Sequence, residues 1–193
     1  MTPTNRLLLL AGSVRSGSLN QQLIDVAARH SEVMGIGVTP ISLRDYLLPI
    51  HEMELDSRIF PEAAQALKAQ FQSHSGVLIA SPELNGSPSS MLLNALSWMS
   101  ISTGDEAPMA LTAFRGKAFG LMSASPSPFG GMRGLSHLRH VLTCLQGVVV
   151  PDQLTLPNAL QGFDDSGLVD GRCNLILGQL IGATARMAKQ LNT

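Results

Sequence analysis

The sequence carries little charge, and the charge that it has is balanced. Only 14% of its 193 residues are charged, and 13 Lys and Arg against 14 Asp and Glu leave a formal net charge of −1. A nucleic-acid-binding protein needs a basic excess that displaces counterions from the phosphates. Nucleic acid is therefore not an expected partner.

Cysteine is scarce as well. Cys144 and Cys173 are the two cysteines of the chain, which is too few for the disulfide framework of a small secreted domain. We expect both to be buried thiols in a reducing compartment.

Long hydrophobic runs are missing too. Runs such as Leu7–Ala11 and Gly147–Val150 are far shorter than the roughly 20 residues that cross a membrane. The apolar stretch near the start follows one cation and ends in Gly12 and Ser13, unlike the cleavage-site pattern of a secretion signal. We therefore expect a cytoplasmic protein without a membrane partner.

Hydrophobic residues as a whole are abundant, at 45% of the chain. Folding a chain of this length removes roughly 70% of its unfolded surface from water, so stability requires neither a metal nor a disulfide. No repeat, charge block or low-complexity tract divides the sequence. These observations predict a single domain over residues 1–193.

A short apolar strand, a turn with glycine or proline, and an amphipathic helix recur along the chain. Continuously apolar strands are typical of a parallel sheet that is covered on both faces. Five strands alternating with five helices predict a doubly wound α/β fold with three layers. The predicted strands are Arg6–Ala11, Val38–Leu43, Gly76–Ala80, Lys117–Ala124 and a fifth that begins with Val148–Val150. The predicted helices are Leu19–Val33, Ala63–Ser73, Met91–Ser100, Leu135–Leu145 and about Leu168–Gln190.

The loop between Gly12 and Asn20 predicts an anion site. It follows a buried strand and opens a helix, where free N–H groups and the helix dipole favour negative charge. It is not a P-loop, because Ser18 stands where that motif has lysine, and Gly12 and Gly17 are wrongly spaced for a dinucleotide fingerprint. The loop suits a bound phosphate monoester that is not transferred. The alternative is an ordinary turn in which Ser18 caps the helix.

Two further loops follow the third and fourth predicted strands, at the edge where open parallel sheets bind their ligands. In Ser81–Ser87, Pro82 and Gly86 constrain the backbone so that its N–H groups can face a flat ligand, although any turn uses such residues. Ser123–Gly131 contains two prolines and paired glycines, which suits a loop that lines a ligand.

Taken together, the three loops resemble the NADPH-dependent FMN reductase family of flavodoxin-like flavoproteins. The first matches the family pattern Gly-Ser-x-Arg-x-x-Ser-x-Asn from Gly12 onward, and the second matches Ser-Pro-Glu-Tyr-Asn-Gly-Ser from Ser81 onward. The match extends to Asn94, Ala95, Trp98, Ser125, Gly130, Gly131 and the segment His137–Arg139. This chain departs from the family at four positions, which are Leu84 in place of the aromatic residue, Leu93, Ser97 and the early Pro88.

The resemblance implies a flavodoxin-like sheet in the order 2-1-3-4-5 and an oxidoreductase that binds FMN. NAD(P)H would be the electron donor, a flavin, quinone or similar small molecule the acceptor, and a homodimer or homotetramer the assembly. The implied phosphate site comprises Ser13, Arg15, Ser18, Leu19 and Asn20. The implied isoalloxazine site comprises Pro82, Glu83, Leu84, Asn85 and Gly86 on one side and Ser125, Gly130 and Gly131 on the other.

No side chain is expected to be catalytic, because the cofactor carries the chemistry and the protein supplies position and electrostatics. No metal is expected either, since His137 and His140 lack a third ligand at a suitable spacing. The alternative function is a flavin- or nucleotide-binding module of the same fold with little or no reductase turnover.

Overall fold

The computed structural model describes residues 4–52, 60–104 and 106–192. Its centre is a five-stranded parallel sheet whose strands stand in the order β2-β1-β3-β4-β5. The strands are β1 (Thr4–Ala11), β2 (Val38–Ser42), β3 (His74–Ala80), β4 (Ala118–Ala124) and β5 (Val148–Leu156). The predicted architecture and strand order are therefore confirmed.

Five α-helices of the described residues cover the two faces of this sheet. They are α1 (Leu19–Val33), α2 (Glu62–Ser73), α3 (Ser90–Ser100), α4 (Met132–Cys144) and α5 (Gly171–Leu191). None of the helices in the described part of the chain is both long enough and apolar enough to span a bilayer.

Alternation along β1 explains the three layers. Leu7 and Leu9 pack into a core with α1 and α5, whereas Leu8 and Leu10 pack into a second core with α2, α3 and α4. Successive side chains of a strand point to opposite faces, so the consecutive apolar residues Leu7–Ala11 require cover on both faces of the sheet. The sheet therefore separates two hydrophobic cores and contributes side chains to both.

The start of the last helix differs from the prediction. Helix α5 begins at Gly171 instead of Leu168, because the Asp170 side chain accepts a hydrogen bond from the Arg172 N–H (2.7 Å) and so caps the helix there. Leu168 instead pairs with Phe163 in a short antiparallel hairpin.

Other predictions need correction as well: α4 begins at Met132 instead of Leu135 and ends at Cys144 instead of Leu145. Cys144 is exposed on α4, whereas Cys173 is buried as expected, and both are free thiols. The second strand ends at Ser42, because the Ser42 hydroxyl accepts a hydrogen bond from the Arg44 N–H (3.3 Å) and starts a 3₁₀ helix over Leu43–Asp45.

Candidate functional site

The loops after β1, β3 and β4 meet at the carboxyl edge of the sheet. Backbone hydrogen bonds join the strand ends, from Gly12 N to Ala80 O (2.9 Å) and from Ser81 N to Met122 O (2.9 Å). The Ser89 hydroxyl, which caps α3, also donates to Gly12 O (2.6 Å). The three loops that sequence analysis singled out are therefore neighbours in one place.

The first loop ends at the N-terminus of α1. Ser18 is its N-cap, and its hydroxyl accepts a hydrogen bond from Gln21 N (3.4 Å). Ser18, Leu19 and Asn20 are buried, yet within the described residues their N–H groups have no hydrogen-bond acceptor. The first N–H groups of a helix have no acceptor within the helix, and together with the helix dipole they are suited to bind an anion.

Asn20 has a different task from the one that its motif position suggests. Its amide donates to Ala124 O (2.9 Å) and accepts from Ala124 N (3.0 Å). The side chain therefore joins the first loop to the end of β4, and its own backbone N–H is the group left for an anion.

Arg15 and Arg44 line a cleft of about 560 Å³ beside the first loop. Arg15 is exposed, whereas Arg44 holds the loop by donating to Val14 O (2.8 Å) and to the Ser16 hydroxyl (3.2 Å). Sequence reasoning missed Arg44, because it lies after a different strand and no motif includes it. Only the pairing of β2 with β1 brings it to the loop.

The second loop is a β-hairpin with a two-residue turn. Glu83–Leu84 pairs with Ser87–Pro88, and Asn85 and Gly86 form the turn with positive φ angles of 54° and 76°. This is the type I′ geometry that Asn-Gly favours, so the dipeptide was a signal for the hairpin. The N–H groups of Asn85 and Gly86 have no acceptor in the part of the chain that the structure describes, so they are available to a ligand.

The Glu83 carboxylate is buried against the N-terminus of α4. It accepts hydrogen bonds from Arg133 Nε (2.9 Å) and Gly134 N (3.0 Å). Partial burial raises the pKa of Glu83, but the hydrogen bonds from Gly134 and Arg133 outweigh it, and the net pKa lies below the usual value. Glu83 is thus an ionised link between the second and third loops.

Apolar side chains stand exposed around these loops. Leu84, in place of the family's aromatic residue, is 57% exposed at the hairpin, and Phe129 of the third loop is 53% exposed. The Arg133 guanidinium lies 4.8 Å from the centre of the Phe129 ring, a cation–π contact. The rim therefore combines apolar surface with one cation.

Glycine is required in the third loop at Gly131. This residue is the N-cap of α4 with φ at 85°, and a Cβ there would lie 2.0 Å from Ser123 Oγ. The Ser123 hydroxyl is buried and has no hydrogen-bond partner among the described residues. Gly130 precedes it with φ at 61°, and the Ser125 hydroxyl accepts from Ser127 N (3.2 Å) within the same loop.

The motif residues Asn94 and Trp98 lie on α3 and do not reach the loops. Asn94 Nδ2 and Trp98 Nε1 both donate to Pro49 O, each over 2.8 Å, and they anchor the segment that follows β2. Trp98 is fully buried. Among the residues that the structure describes, no three His, Cys, Asp or Glu side chains come close enough to hold a metal.

The donor set of this edge fits a phosphate and a flat polar ring. The first loop offers N–H groups without an acceptor among the described residues, serine hydroxyls and Arg15, and the hairpin offers the N–H groups of Asn85 and Gly86. A sheet in the order 2-1-3-4-5 with such loops at the reversal of its winding defines a flavodoxin-like α/β protein, the fold that binds FMN at this point.

The chain belongs to the NADPH-dependent FMN reductase family, whose sequence pattern matches residues 5–161. A NAD(P)H-dependent FMN reductase of Pseudomonas aeruginosa is 29% identical over 200 aligned residues, which cover 99% of each chain. A 2-hydroxy-1,4-benzoquinone reductase of a Burkholderia species is 31% identical over 151 residues, covering 75% of this chain and 74% of the relative.

A solved structure agrees in fold. The flavoenzyme NAD(P)H:(acceptor) oxidoreductase FerB of Paracoccus denitrificans superposes with a TM-score of 0.78 at 21% identity, covering 97% of this chain and 98% of the other. The family expected from the three loops is confirmed, and with it an oxidoreductase that uses FMN and NAD(P)H.

Proposed function

We propose that the N-terminus of α1 binds the phosphate of FMN. Ser13, Ser18 and Arg15 would donate from their side chains, and Leu19 and Asn20 from their backbone N–H groups. The observation that carries this proposal is the set of N–H groups at Ser18, Leu19 and Asn20, at the start of α1, that have no acceptor in the described chain. A phosphate would satisfy them and would gain from the helix dipole.

The isoalloxazine ring would lie along the hairpin. Its polar edge would accept hydrogen bonds from the N–H groups of Asn85 and Gly86, and Pro82, Glu83 and Leu84 would supply the adjoining backbone. Ser125, Gly130 and Gly131 would close the opposite side. The two glycines hold a backbone course that residues with a Cβ would strain, which supports a close approach of this loop to a ligand.

FMN, when bound, supplies the ring that takes up hydride from NAD(P)H and gives it to an acceptor. The protein would position the ring and supply its electrostatic environment. The Glu83 carboxylate already binds Arg133 and the α4 N-terminus, and its pKa is lowered, so it suits a structural task better than proton donation. This supports a site without a catalytic side chain.

For the acceptor we propose a quinone. Exposed Leu84 and Phe129 offer an apolar surface to a flat ring, beside the ion pair of Arg133 with Glu83. Relatives of this chain carry the names quinone reductase and 2-hydroxy-1,4-benzoquinone reductase.

We further propose one domain over residues 1–193, because a single sheet serves both cores. A homodimer or homotetramer would form, and the cavity of about 330 Å³ between α3 and α4, lined largely by apolar residues such as Leu93 and Leu96, supports a contact there. The two free thiols support a reducing location, the cytoplasm. Size-exclusion chromatography with light scattering measures the assembly.

Flavin binding and turnover test the function. The purified protein should show a flavin absorption spectrum or quench the fluorescence of added FMN, and it should oxidise NADPH when a benzoquinone is added. A protein that binds no FMN would contradict the proposal. FMN binding without acceptor-dependent NADPH oxidation would favour the alternative, a flavin-binding module without turnover.

A further inference from the structure

Arg44 contacts the first loop, which runs from Gly12 to Asn20. It does so from the end of β2, a strand that none of the matched sequence motifs includes. It lies in the 3₁₀ helix Leu43–Asp45, directly after β2. Strands β2 and β1 are parallel, with Ser42 opposite Ala11, so their carboxyl ends lie side by side. The residue after one strand end therefore stands beside the loop that leaves the other.

The contacts of Arg44 involve both nitrogens along one side of its guanidinium. Nε donates to Val14 O (3.1 Å), and Nη2 donates to the same oxygen (2.8 Å) and to the Ser16 hydroxyl (3.2 Å). The planar guanidinium fixes the direction of all three hydrogen bonds at once. Lysine could supply the charge but not this geometry.

These contacts determine how the loop presents itself to an anion. Fixing Val14 O fixes the plane of the peptide that joins Val14 to Arg15, because the peptide unit is planar. The N–H of that peptide, which belongs to Arg15, points opposite to its oxygen and donates to the Ser13 hydroxyl (3.4 Å), so the same peptide also orients Ser13. Arg44 thereby engages two oxygens of the first loop, Val14 O and the Ser16 hydroxyl.

Net charge alone does not account for Arg44. The same cleft is lined by two arginines, Arg15 and Arg44, and by two carboxylates, Asp25 and Asp45. These four charges cancel, so the attraction that the cleft exerts on a distant anion is small. The geometry of the loop remains as the property that Arg44 controls.

We propose that Arg44 is a positioning residue for the FMN phosphate, holding the loop so that its N–H and hydroxyl groups face that phosphate. The proposal rests on the proposed function. It predicts that Arg44 acts on the phosphate end of the cofactor alone and leaves the ring site unchanged.

The test compares FMN with riboflavin, which lacks the phosphate. Dissociation constants are measured by quenching of flavin fluorescence for the wild type, Arg44→Gln, Arg44→Lys and the control Arg29→Gln on the exposed side of α1. Arg44→Gln should weaken FMN binding about tenfold, as expected for losing hydrogen bonds from a charged donor, and leave riboflavin binding unchanged. Arg44→Lys should remain weakened, and Arg29→Gln should match the wild type.

Ser16→Ala provides a second, milder variant, which loses one of the three contacts and should weaken FMN binding about twofold to threefold. If the Arg44 variants leave the ratio of the FMN and riboflavin dissociation constants unchanged, the positioning role is overturned. Full recovery in Arg44→Lys would assign the effect to charge and overturn it as well. If the wild type binds neither flavin, the proposed function fails first and the role of Arg44 fails with it.

Discussion

At the carboxyl edge of the sheet, three polar side chains form hydrogen bonds that join neighbouring segments of the chain. Asn20 joins α1 to the end of β4, Glu83 joins the hairpin to α4, and Arg44 joins the end of β2 to the first loop. Each is a single side chain that bridges segments far apart in sequence. Together they give the loops fixed relative positions before any ligand arrives, which lowers the cost of ordering on binding.

Replacing Asn20 with alanine tests this at one residue. The variant removes both hydrogen bonds to Ala124 and leaves the buried backbone groups of that residue unpaired, so we expect a loss of about 1–3 kcal/mol in the free energy of unfolding. Urea denaturation monitored by circular dichroism measures it. Gln22→Ala, an exposed change on the same helix, should cost less than about 0.5 kcal/mol. Equal stabilities for the two variants would contradict the bridging role.

Single elements differ in how far the sequence determines them. The predicted bounds of α1 match the observed Leu19–Val33, because Ser18 gives a capping signal immediately before an amphipathic pattern. The hairpin at Asn85-Gly86 was predicted only as a loop, although its dipeptide favours a type I′ turn. The start of α5 was wrong because the apolar Leu168 and Val169 resemble a first helical turn, whereas Asp170 is the cap.

The candidate site, too, is only partly predictable from the sequence. The three loops and their meeting place follow from local motifs and from the rule that parallel sheets bind ligands at their carboxyl edge. The partners of Asn20, Glu83 and Arg44 do not follow, since each contact joins segments that only the strand order brings together. Motif positions thus gave the place of the residues and not the task of their side chains.

The N-terminus of α4 allows an element-scale test at Gly131. Gly131→Ala would place a Cβ against Ser123 Oγ at a φ of 85°, so we expect a loss of about 1–3 kcal/mol in the free energy of unfolding and weaker FMN binding. Gly171→Ala is the matched control, because a Cβ at the start of α5 meets nothing within 4 Å. Thermal denaturation of both variants gives the comparison. If the Gly131→Ala protein is as stable as Gly171→Ala, the third loop can shift to accommodate the added methyl group, and the prediction is wrong.

At the scale of the whole molecule, one stabilising network lies apart from the three loops. Lys68 on α2 is buried and forms an ion pair with Glu106, which also accepts hydrogen bonds from Thr103 N (2.8 Å) and Gln72 Nε2 (2.9 Å). This network fastens the connection between α3 and β4 onto α2. None of its members belongs to the three loops of the proposed flavin site.

Acid should therefore weaken the fold through Glu106. Burial raises the pKa of Glu106, but hydrogen bonds from Lys68, Thr112 and Thr103 and the charge of Lys68 lower it to about 2. Because this folded-state pKa lies below the ordinary value of 4.5, the stabilisation is complete above pH 4.5 and disappears as the pH falls toward 2. We expect Glu106→Gln to cost about 1–3 kcal/mol of unfolding free energy at pH 7 and progressively less below pH 4.5.

Urea unfolding of the wild type and Glu106→Gln across this pH range measures the difference. Glu32→Gln, an exposed change on α1, serves as the control and should be neutral. A difference between wild type and Glu106→Gln that stays constant with pH would contradict the assignment. The dissociation constant for FMN should be the same in all three proteins at pH 7.

The unpaired N–H groups at the beginning of α1 bear on the stability of the apoprotein. In the apoprotein those donors depend on solvent alone, so the apoprotein forgoes the stabilisation that a bound phosphate would supply. A ligand that binds only the native state raises stability by about 2.7 kcal/mol when its concentration is a hundred times its dissociation constant. Riboflavin supply would then govern how much of this polypeptide survives proteolysis, and cofactor scarcity would lower its abundance as well as its activity.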